Sequence, residues 1–326
     1  MTEPTRWGIL STALINRKVL AGARLTDAVE IRAIASRSAD RGRAFAREHG
    51  IPQAHASYEA LLADPAIEVV YIPLPNGLHH EWTIKALEAG KHVLCEKPYS
   101  RHPSDVEQAF DLAEREGLVL SEAYMYRYHP QIVRLTELVA DGAIGELRYV
   151  SSAFTWPCDA PGDIRLSIEL GGGSLLDVGC YCVSVSRLLA GEPESVTAQQ
   201  IVGETGVEVR LAGTMAFRDG VLAHFDSGFH LPDRSYLEVV GTEATLLVRD
   251  PFHCLDPALE LIPQQGERQL IALPTANSYR LELEYVAAAA RGETTPLLGR
   301  ADALGQARTI AALYAAAAAS SAVALA

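Results

Sequence analysis

Positive charge is scarce in this chain: 28 Lys and Arg stand against 41 Asp and Glu in 326 residues, a formal net charge of −13. So acidic a surface repels phosphodiester backbones and anionic lipid, which proteins hold mainly through clustered Lys and Arg. Nucleic acid and membrane are therefore not expected as partners. Cysteine is sparse and odd in number, with Cys95, Cys158, Cys180, Cys182 and Cys254 giving no disulfide framework. The first residues, Met-Thr-Glu-Pro-Thr, lack the basic segment and apolar run of a secretion signal, so a reducing cytoplasm is the expected compartment. Cys180 and Cys182 have no second pair at zinc spacing, His79-His80 has no further ligand, and no metal is expected. Long, strongly apolar runs are missing too. The Ala-rich tail 310–326 is weakly apolar and broken by Ser320 and Ser321, whereas a membrane span needs about 20 apolar residues. It reads as a terminal packing helix.

What remains is the composition of a folded protein, 48% hydrophobic and 21% charged. The length exceeds what one core supports comfortably and argues for two domains. Up to residue 123, apolar β-branched runs at Arg6–Leu10, Val29–Ala35, Val69–Pro73 and His92–Cys95 alternate with helical patterns, and Leu118–Ser121 adds a last strand. Continuous apolar strands in β-α-β units imply a parallel sheet covered on both faces, hence an α/β, doubly wound Rossmann domain over residues 1–123. Beyond it the grammar changes. A helix at Pro130–Asp141, a strand at Leu147–Phe154, a helix at Leu175–Ala190 and then closely spaced strands predict an α+β domain, 124–326, with a large, mostly antiparallel open sheet. Helical segments at Tyr279–Arg291 and from Asp302 are assigned to that second domain. Acidity is uneven, with 14 basic and 17 acidic side chains up to residue 123 and 14 and 24 after it.

Chemistry-bearing residues fall at strand ends. The first strand runs through Gly8 into Ser11, Thr12, Ala13, Leu14 and Ile15, where a dinucleotide fold needs small residues so that the backbone approaches a pyrophosphate at the next helix N-terminus. Two of the usual glycines are replaced, and taken alone the segment is equally an ordinary tight turn. The second strand ends in Ser36-Arg37-Ser38. An acid there would bind the ribose hydroxyls of NAD, whereas a hydroxyl and a guanidinium suit a 2′-phosphate, so NADP is expected over NAD. A solvated surface arginine is the plain alternative. Pro73, Asn76 and His79 follow the next strand, and Glu96-Lys97-Pro98 the one after, at the edge where open α/β sheets bind ligands.

Taken in order, Gly8…Ser11-x-Ala13, Ala35-Ser36-Arg37, Pro75-Asn76-x-Leu78-His79, Glu96-Lys97-Pro98, Glu122-Ala123-x-Met125-Tyr126-Arg127-x-His129-Pro130 and Gly171-Gly172-Gly173-x-x-x-Asp177-x-Gly179-x-Tyr181 resemble the Gfo/Idh/MocA oxidoreductases. The likeness covers essentially the whole chain and points to the branch with dihydrodiol dehydrogenase and NADP-dependent D-xylose dehydrogenase. It implies a cofactor site built from the strand-end residues above, with Lys97 contacting the reacting oxygen and the nicotinamide ribose, and a cis bond before Pro98. It also implies a homodimer or homotetramer formed through the C-terminal sheet. Many relatives carry histidine four residues after the aspartate equivalent to Asp177; this branch, like this chain at Tyr181, has tyrosine.

The chemistry agrees. Oxidising an alcohol removes a hydroxyl proton while hydride leaves carbon, which needs a base within hydrogen-bond reach of the oxygen. Tyr181 is the expected acid/base, its phenolate favoured by a neighbouring Lys97 ammonium. Asp177, one helical turn earlier, would position substrate or the pair; the plain alternative is an N-terminal helix charge beside a half-buried aromatic. Tyr126, Arg127, His129, Trp156 and Arg165 are the candidate substrate contacts, although Arg127 and His129 serve equally as interdomain braces. The expected reaction is NADP-dependent interconversion of a secondary alcohol or hemiacetal with a ketone or lactone on a sugar, sugar derivative or cyclic diol. A cofactor-assisted glycosidase or lyase and a non-catalytic dinucleotide-responsive regulator are the rivals.

Overall fold

The computed structural model describes residues 3–160 and 162–319, which form two compact units. The tail assigned to a packing helix lies partly outside the described residues. The first unit comprises the chain up to Met125 together with Asn277–Leu304. Its strands are β1 (Thr5–Leu10), β2 (Val29–Ala35), β3 (Gln53–His55), β4 (Val69–Ile72), β5 (His92–Glu96) and β6 (Leu120–Ala123). Between them run α1 (Asn16–Ala23), α2 (Ala39–His49), α3 (Tyr58–Leu62), α4 (His79–Glu88) and α5 (Pro103–Glu116). The sheet order is β3-β2-β1-β4-β5-β6, all parallel, the doubly wound arrangement whose switch point lies between β1 and β4. Helix ends follow local chemistry: the Ser38 hydroxyl accepts the Arg41 N–H to start α2, and Pro103 opens α5.

The second unit, Tyr126–Ala276 and the chain from Gly305, holds α6 (Pro130–Ala140), β7 (Leu147–Thr155), α7 (Cys180–Ala190), β8 (Ser195–Val202), β9 (Glu208–Ala216) and β10 (Leu222–Gly228). It continues with β11 (Arg234–Gly241), β12 (Ala244–Val248), β13 (Ala258–Pro263) and β14 (Gln269–Ala272). These make an eight-stranded sheet, β14-β13-β12-β11-β7-β10-β9-β8, antiparallel except where β10 pairs parallel with β7. Alternation sorts its two faces: Ser152, Phe154, Ala223 and Phe225 are buried on the side that α7 covers. Tyr149, Ser151, His224 and Tyr236 form a hydrogen-bonded group on the other side.

Two elements close the chain, α8 (Ser278–Ala290) and α9 (Arg300–Ala319). The first corrects the sequence-based boundary. Leu283, Val286 and Ala287 of α8 pack with Val19, Leu20 and Ala23 of α1 and with Trp7, Ile9 and Tyr71 of the parallel sheet, so this helix completes the first unit and not the second. Its apolar stripe marks a helix but not the sheet it covers. A second correction concerns 175–190, expected as one regular helix: Leu175–Gly179 is a π-helical turn preceding α7.

The core of the first unit also holds a costly group. Glu282 of α8 is 1% exposed and its Oε1 has no hydrogen-bond partner. Burial, reinforced by the Glu96 carboxylate, pushes its carboxyl well above the usual range. A carboxyl raised in the folded state contributes its stability in full below the unfolded value near 4.3 and loses it as pH rises toward the folded value. Glu282→Gln, neutral at every pH, is therefore expected to match the parent near pH 4 and to melt at higher temperature by about 2 °C or more at pH 8. Melting curves across that range, with no widening of the gap, would refute the assignment.

Candidate active site

In the first unit the turn after β1 is built around Ser11, which occupies the left-handed region at φ 106°. Its N–H donates to the Ala35 carbonyl (2.8 Å) and its hydroxyl to the Pro73 carbonyl (3.1 Å), while the Asn16 side chain holds its own carbonyl (2.8 Å). Ser11 thus ties three strand ends together, through its backbone N–H and its hydroxyl, at a position where glycine was expected. Thr12, Ala13, Leu14 and Ile15 follow it into α1, with Leu14 exposed. At the end of β2, Ser36 is buried and accepts the Ser38 N–H, whereas the Arg37 guanidinium is exposed. Arg41, in the first turn of α2, is exposed and reaches Thr12 Oγ1 of the β1 turn at 3.5 Å. Arg43 is instead paired with Asp40. No acidic residue stands between Ala35 and Asp40. This donor set fits a phosphorylated ribose, with Ser36, Arg37 and Arg41 as the groups that would hold it.

Other residues of the expected cofactor set have bracing geometry. Gly8 is buried within β1, and a Cβ there would come within 2.6 Å of a Leu61 methyl of α3, so its lack of a side chain makes room for that helix. His79 is fully buried, with Nδ1 2.9 Å from the Pro98 carbonyl and Nε2 2.8 Å from that of Leu74; burial pushes it down to about 4. Its ring staples the β4 turn to the β5 turn. Glu96 accepts from the Tyr71 hydroxyl (2.6 Å) and from the Lys97 N–H (3.3 Å). Asn76 opens a short helical turn that leads into α4, and Lys97 is half-buried before a cis bond to Pro98.

In the second unit Asp177, half-buried in the π-helical turn, accepts from Trp156 Nε1 (2.9 Å) and Arg165 Nε (3.0 Å), one donor on each oxygen. Asp163 completes the cluster: its Oδ1 takes the Arg165 N–H at 2.9 Å and lies 3.3 Å from Nη1. The guanidinium also lies over the Trp156 ring, 5.2 Å from its centroid. Burial would lower the pKa of Arg165, but Asp177 and Asp163 outweigh it and hold it above its ordinary value. Glycines make this possible. Gly172 and Gly173 donate to the Ser167 and Arg165 carbonyls (2.8 and 2.9 Å), and a Cβ on Gly172 would overlap the Arg165 carbonyl.

Tyr181 of α7 is 7% exposed, its ring 5.7 Å from Tyr126, 5.5 Å from Phe154 and 5.4 Å from Phe252. Tyr126 Oη donates to Ser184 Oγ (2.8 Å), which also accepts from Arg127 (3.3 Å). His129, expected as a substrate contact or an interdomain brace, is fully buried, and its Nδ1 accepts the Gln131 N–H at the start of α6. Tyr126, also fully buried, acts on the Tyr181 ring and Ser184. Sequence reasoning missed Phe252. It sits in the turn after β12, held by Asp250 oxygens that accept from His253 and Leu255; an aromatic after proline at a strand end was the available signal. Among the described residues no group of three or more His, Cys, Asp or Glu is placed to hold a metal, and no helix is long and apolar enough to cross a membrane.

The sequence matches the pattern of the oxidoreductase family with an NAD-binding Rossmann fold over residues 5–124, and that of the GFO/IDH/MocA C-terminal domain over residues 132–247. The chain belongs to the GFO/IDH/MocA oxidoreductase family. Among its similar relatives is D-xylose 1-dehydrogenase (NADP(+)) 2 of Haloferax volcanii, 41% identical over 94% of this chain and 96% of that one. Trans-1,2-dihydrobenzene-1,2-diol dehydrogenase of Xenopus laevis is 37% identical over 63% of each chain. A 3-ketoreductase of Actinomadura kijaniata, solved with NADP and TDP-benzene, superposes with a TM-score of 0.91 at 31% identity, covering 96% of this chain and 98% of that one. The parallel six-stranded sheet and the large, mostly antiparallel sheet are those of this family.

Within this GFO/IDH/MocA protein the Asp177 cluster has a definite energetic order. Asp177→Ala removes the acceptor of both Trp156 and Arg165, whereas Arg165→Met leaves Trp156 bonded and gives up, from a side chain 38% exposed, the Asp177 bond and the longer 3.3 Å contact to Asp163. At about 1 kcal/mol per charged hydrogen bond, discounted for exposure, losses in Tm of about 4–8 °C and 2–4 °C respectively are expected in thermal melts. Equal losses would mean that the Asp163 and ring contacts given up with Arg165 match the Trp156 bond.

Proposed function

We propose that this protein is an NADP-dependent dehydrogenase or reductase that interconverts a secondary alcohol or cyclic hemiacetal with its ketone or lactone on an uncharged sugar, sugar derivative or cyclic diol. The observation that carries the cofactor choice is the end of β2, where the exposed Arg37 and Arg41 guanidinia accompany Ser36 and no acid intervenes. The xylose and dihydrodiol dehydrogenase relatives favour the substrate class. The Asp163, Arg165 and Asp177 cluster sums to one negative charge and argues against phosphorylated or carboxylated sugars.

A dinucleotide held at the β1 and β2 turns would supply or accept hydride through its nicotinamide ring. The chain's own residues handle the proton and the orientation. Tyr181 takes the hydroxyl proton in the oxidising direction and returns it in the other, and Lys97 polarises and orients the oxygen. Both oxygens of Asp177 being engaged by Trp156 and Arg165, its part is to fix those two side chains toward substrate. The buried aromatic surround of Tyr126, Phe154 and Phe252 restricts the Tyr181 ring to one orientation. The sheet face bearing Tyr149, His224 and Tyr236, opposite α7, is the proposed surface for a homodimer or homotetramer. Five free, buried thiols favour a reducing, cytoplasmic setting.

Absorbance at the reduced-nicotinamide band, followed over a panel of sugars and cyclic diols with NADP and NAD side by side, tests the reading. A kcat/KM preference for NADP of about tenfold or more is expected, lost in Arg37→Ala, the scale of one charge-assisted hydrogen bond. Preference for NAD would overturn it, and substrate turnover without net cofactor change would favour a glycosidase or lyase. Lys97→Ala and Tyr181→Phe are each expected to lower kcat by about 100-fold or more. Near-parental turnover in both would overturn the residue roles.

A further inference from the structure

We propose that Glu208 of β9 is a positioning residue for this reaction, its carboxylate fixing the turn from which Asp177 and α7 begin; the proposal rests on the reading just given. Glu208 is 5% exposed, and its Oε1 accepts the Leu175 N–H at 2.7 Å, the first amide of the π-helical turn. A carboxylate is suited to this place because the first N–H groups of a helix have no partner within it and carry the positive end of its dipole. The hydroxyl of Tyr314, from α9, donates to the same oxygen at 3.2 Å. Gly173 records how closely the carboxylate sits. It adopts φ 127°, and a Cβ there would overlap both carboxylate oxygens of Glu208, so backbone conformation and space each require glycine.

Three further bonds carry this anchor to the chemistry. Asp177 N–H donates to the Gly173 carbonyl (3.0 Å), so the residue against the carboxylate is the one that sets the backbone of Asp177. Gly173 N–H donates to the Arg165 carbonyl, so the same residue also holds the loop bearing the guanidinium that Asp177 grips. Ser174 Oγ lies 3.1 Å from Ser227 Oγ of β10, pinning the intervening residue to the sheet. Farther along, Gln306 of α9 donates to the Cys180 carbonyl (2.8 Å) and accepts from Arg187 (3.0 Å), so α9 holds α7 on either side of Tyr181. Glu208 is thus a positioning residue. It acts through the placement of Asp177, Arg165 and Tyr181.

The test compares Glu208→Ala, Glu208→Leu and Glu208→Gln with the parent for kcat, substrate KM, NADPH affinity by fluorescence titration, and melting temperature. Ala and Leu are expected to lower kcat by about 30-fold or more while NADPH affinity stays within about threefold. Gln, which retains an acceptor for Leu175 N–H, is expected to recover kcat to within about fivefold of the parent. Tyr314→Phe, which keeps its ring and loses one bond, is expected to lower kcat about threefold without a matching loss of NADPH affinity, and this keeps the proposal testable if the Ala and Leu variants fail to fold. Unchanged kcat in Leu or Ala, failure of Gln to exceed Leu, parallel loss of NADPH affinity, or unchanged kcat in Tyr314→Phe would each overturn the proposal. Its failure is distinct from failure of the functional reading, which would show as absence of NADP-linked turnover in the parent itself.

Discussion

In the second unit the carbonyl of Arg165 lies where a side chain on Gly172 would have to be, and it receives the N–H of Gly173. That close passage of two backbones brings a loop residue and a helix residue into one ion pair. Arg165 and Asp177 are 12 positions apart in sequence, with an exposed stretch between them; without the glycines the guanidinium would have no fixed place. The cation over Trp156 and the engagement of both Asp177 oxygens follow from this approach. Preorganisation here is backbone geometry first and electrostatics second.

Much of the fold was legible because its signals are local. Buried parallel strands read as continuous apolar runs, and strand ends with Ser-Arg or Glu-Lys-Pro stand out because such residues have no reason to follow a core strand except to face a ligand or brace a turn. Other features depended on contacts distant in sequence. That Gly8 also makes room for Leu61 depends on the position of α3. His79 and His129 look like site residues in a motif, yet both ring nitrogens of His79 and Nδ1 of His129 are directed at backbone groups. The helix pattern over Leu175–Ala190 conceals the wider first turn, since hydrophobic spacing barely distinguishes the two windings. Phe252 had only a weak local signal and Glu208 none, because each matters through a partner more than 30 residues away.

The charge distribution acquires a physical meaning from the two units. An acidic protein that takes a polyanionic cofactor cannot rely on its overall field, and the first unit answers with two arginines at the β2–α2 turn, one of them within reach of the β1 turn. In the second unit Asp177 and Asp163 are engaged by Arg165 and Trp156, so the cluster carries little net charge.

The return of α8 to the first unit has a consequence for how the molecule is made. A ribosome releases residues in order, and a domain whose last helix is encoded after residue 276 cannot close its core when its sixth strand emerges. Trp7, Ile9, Val19 and Leu20 must wait, with one flank open, while the whole of Tyr126–Ala276 is synthesised. For this chain vectorial folding is therefore nested rather than sequential: the second unit has its entire sheet available before the first can be completed. Any attempt to isolate the nucleotide-binding half by a single cut after Met125 would leave that apolar flank permanently bare.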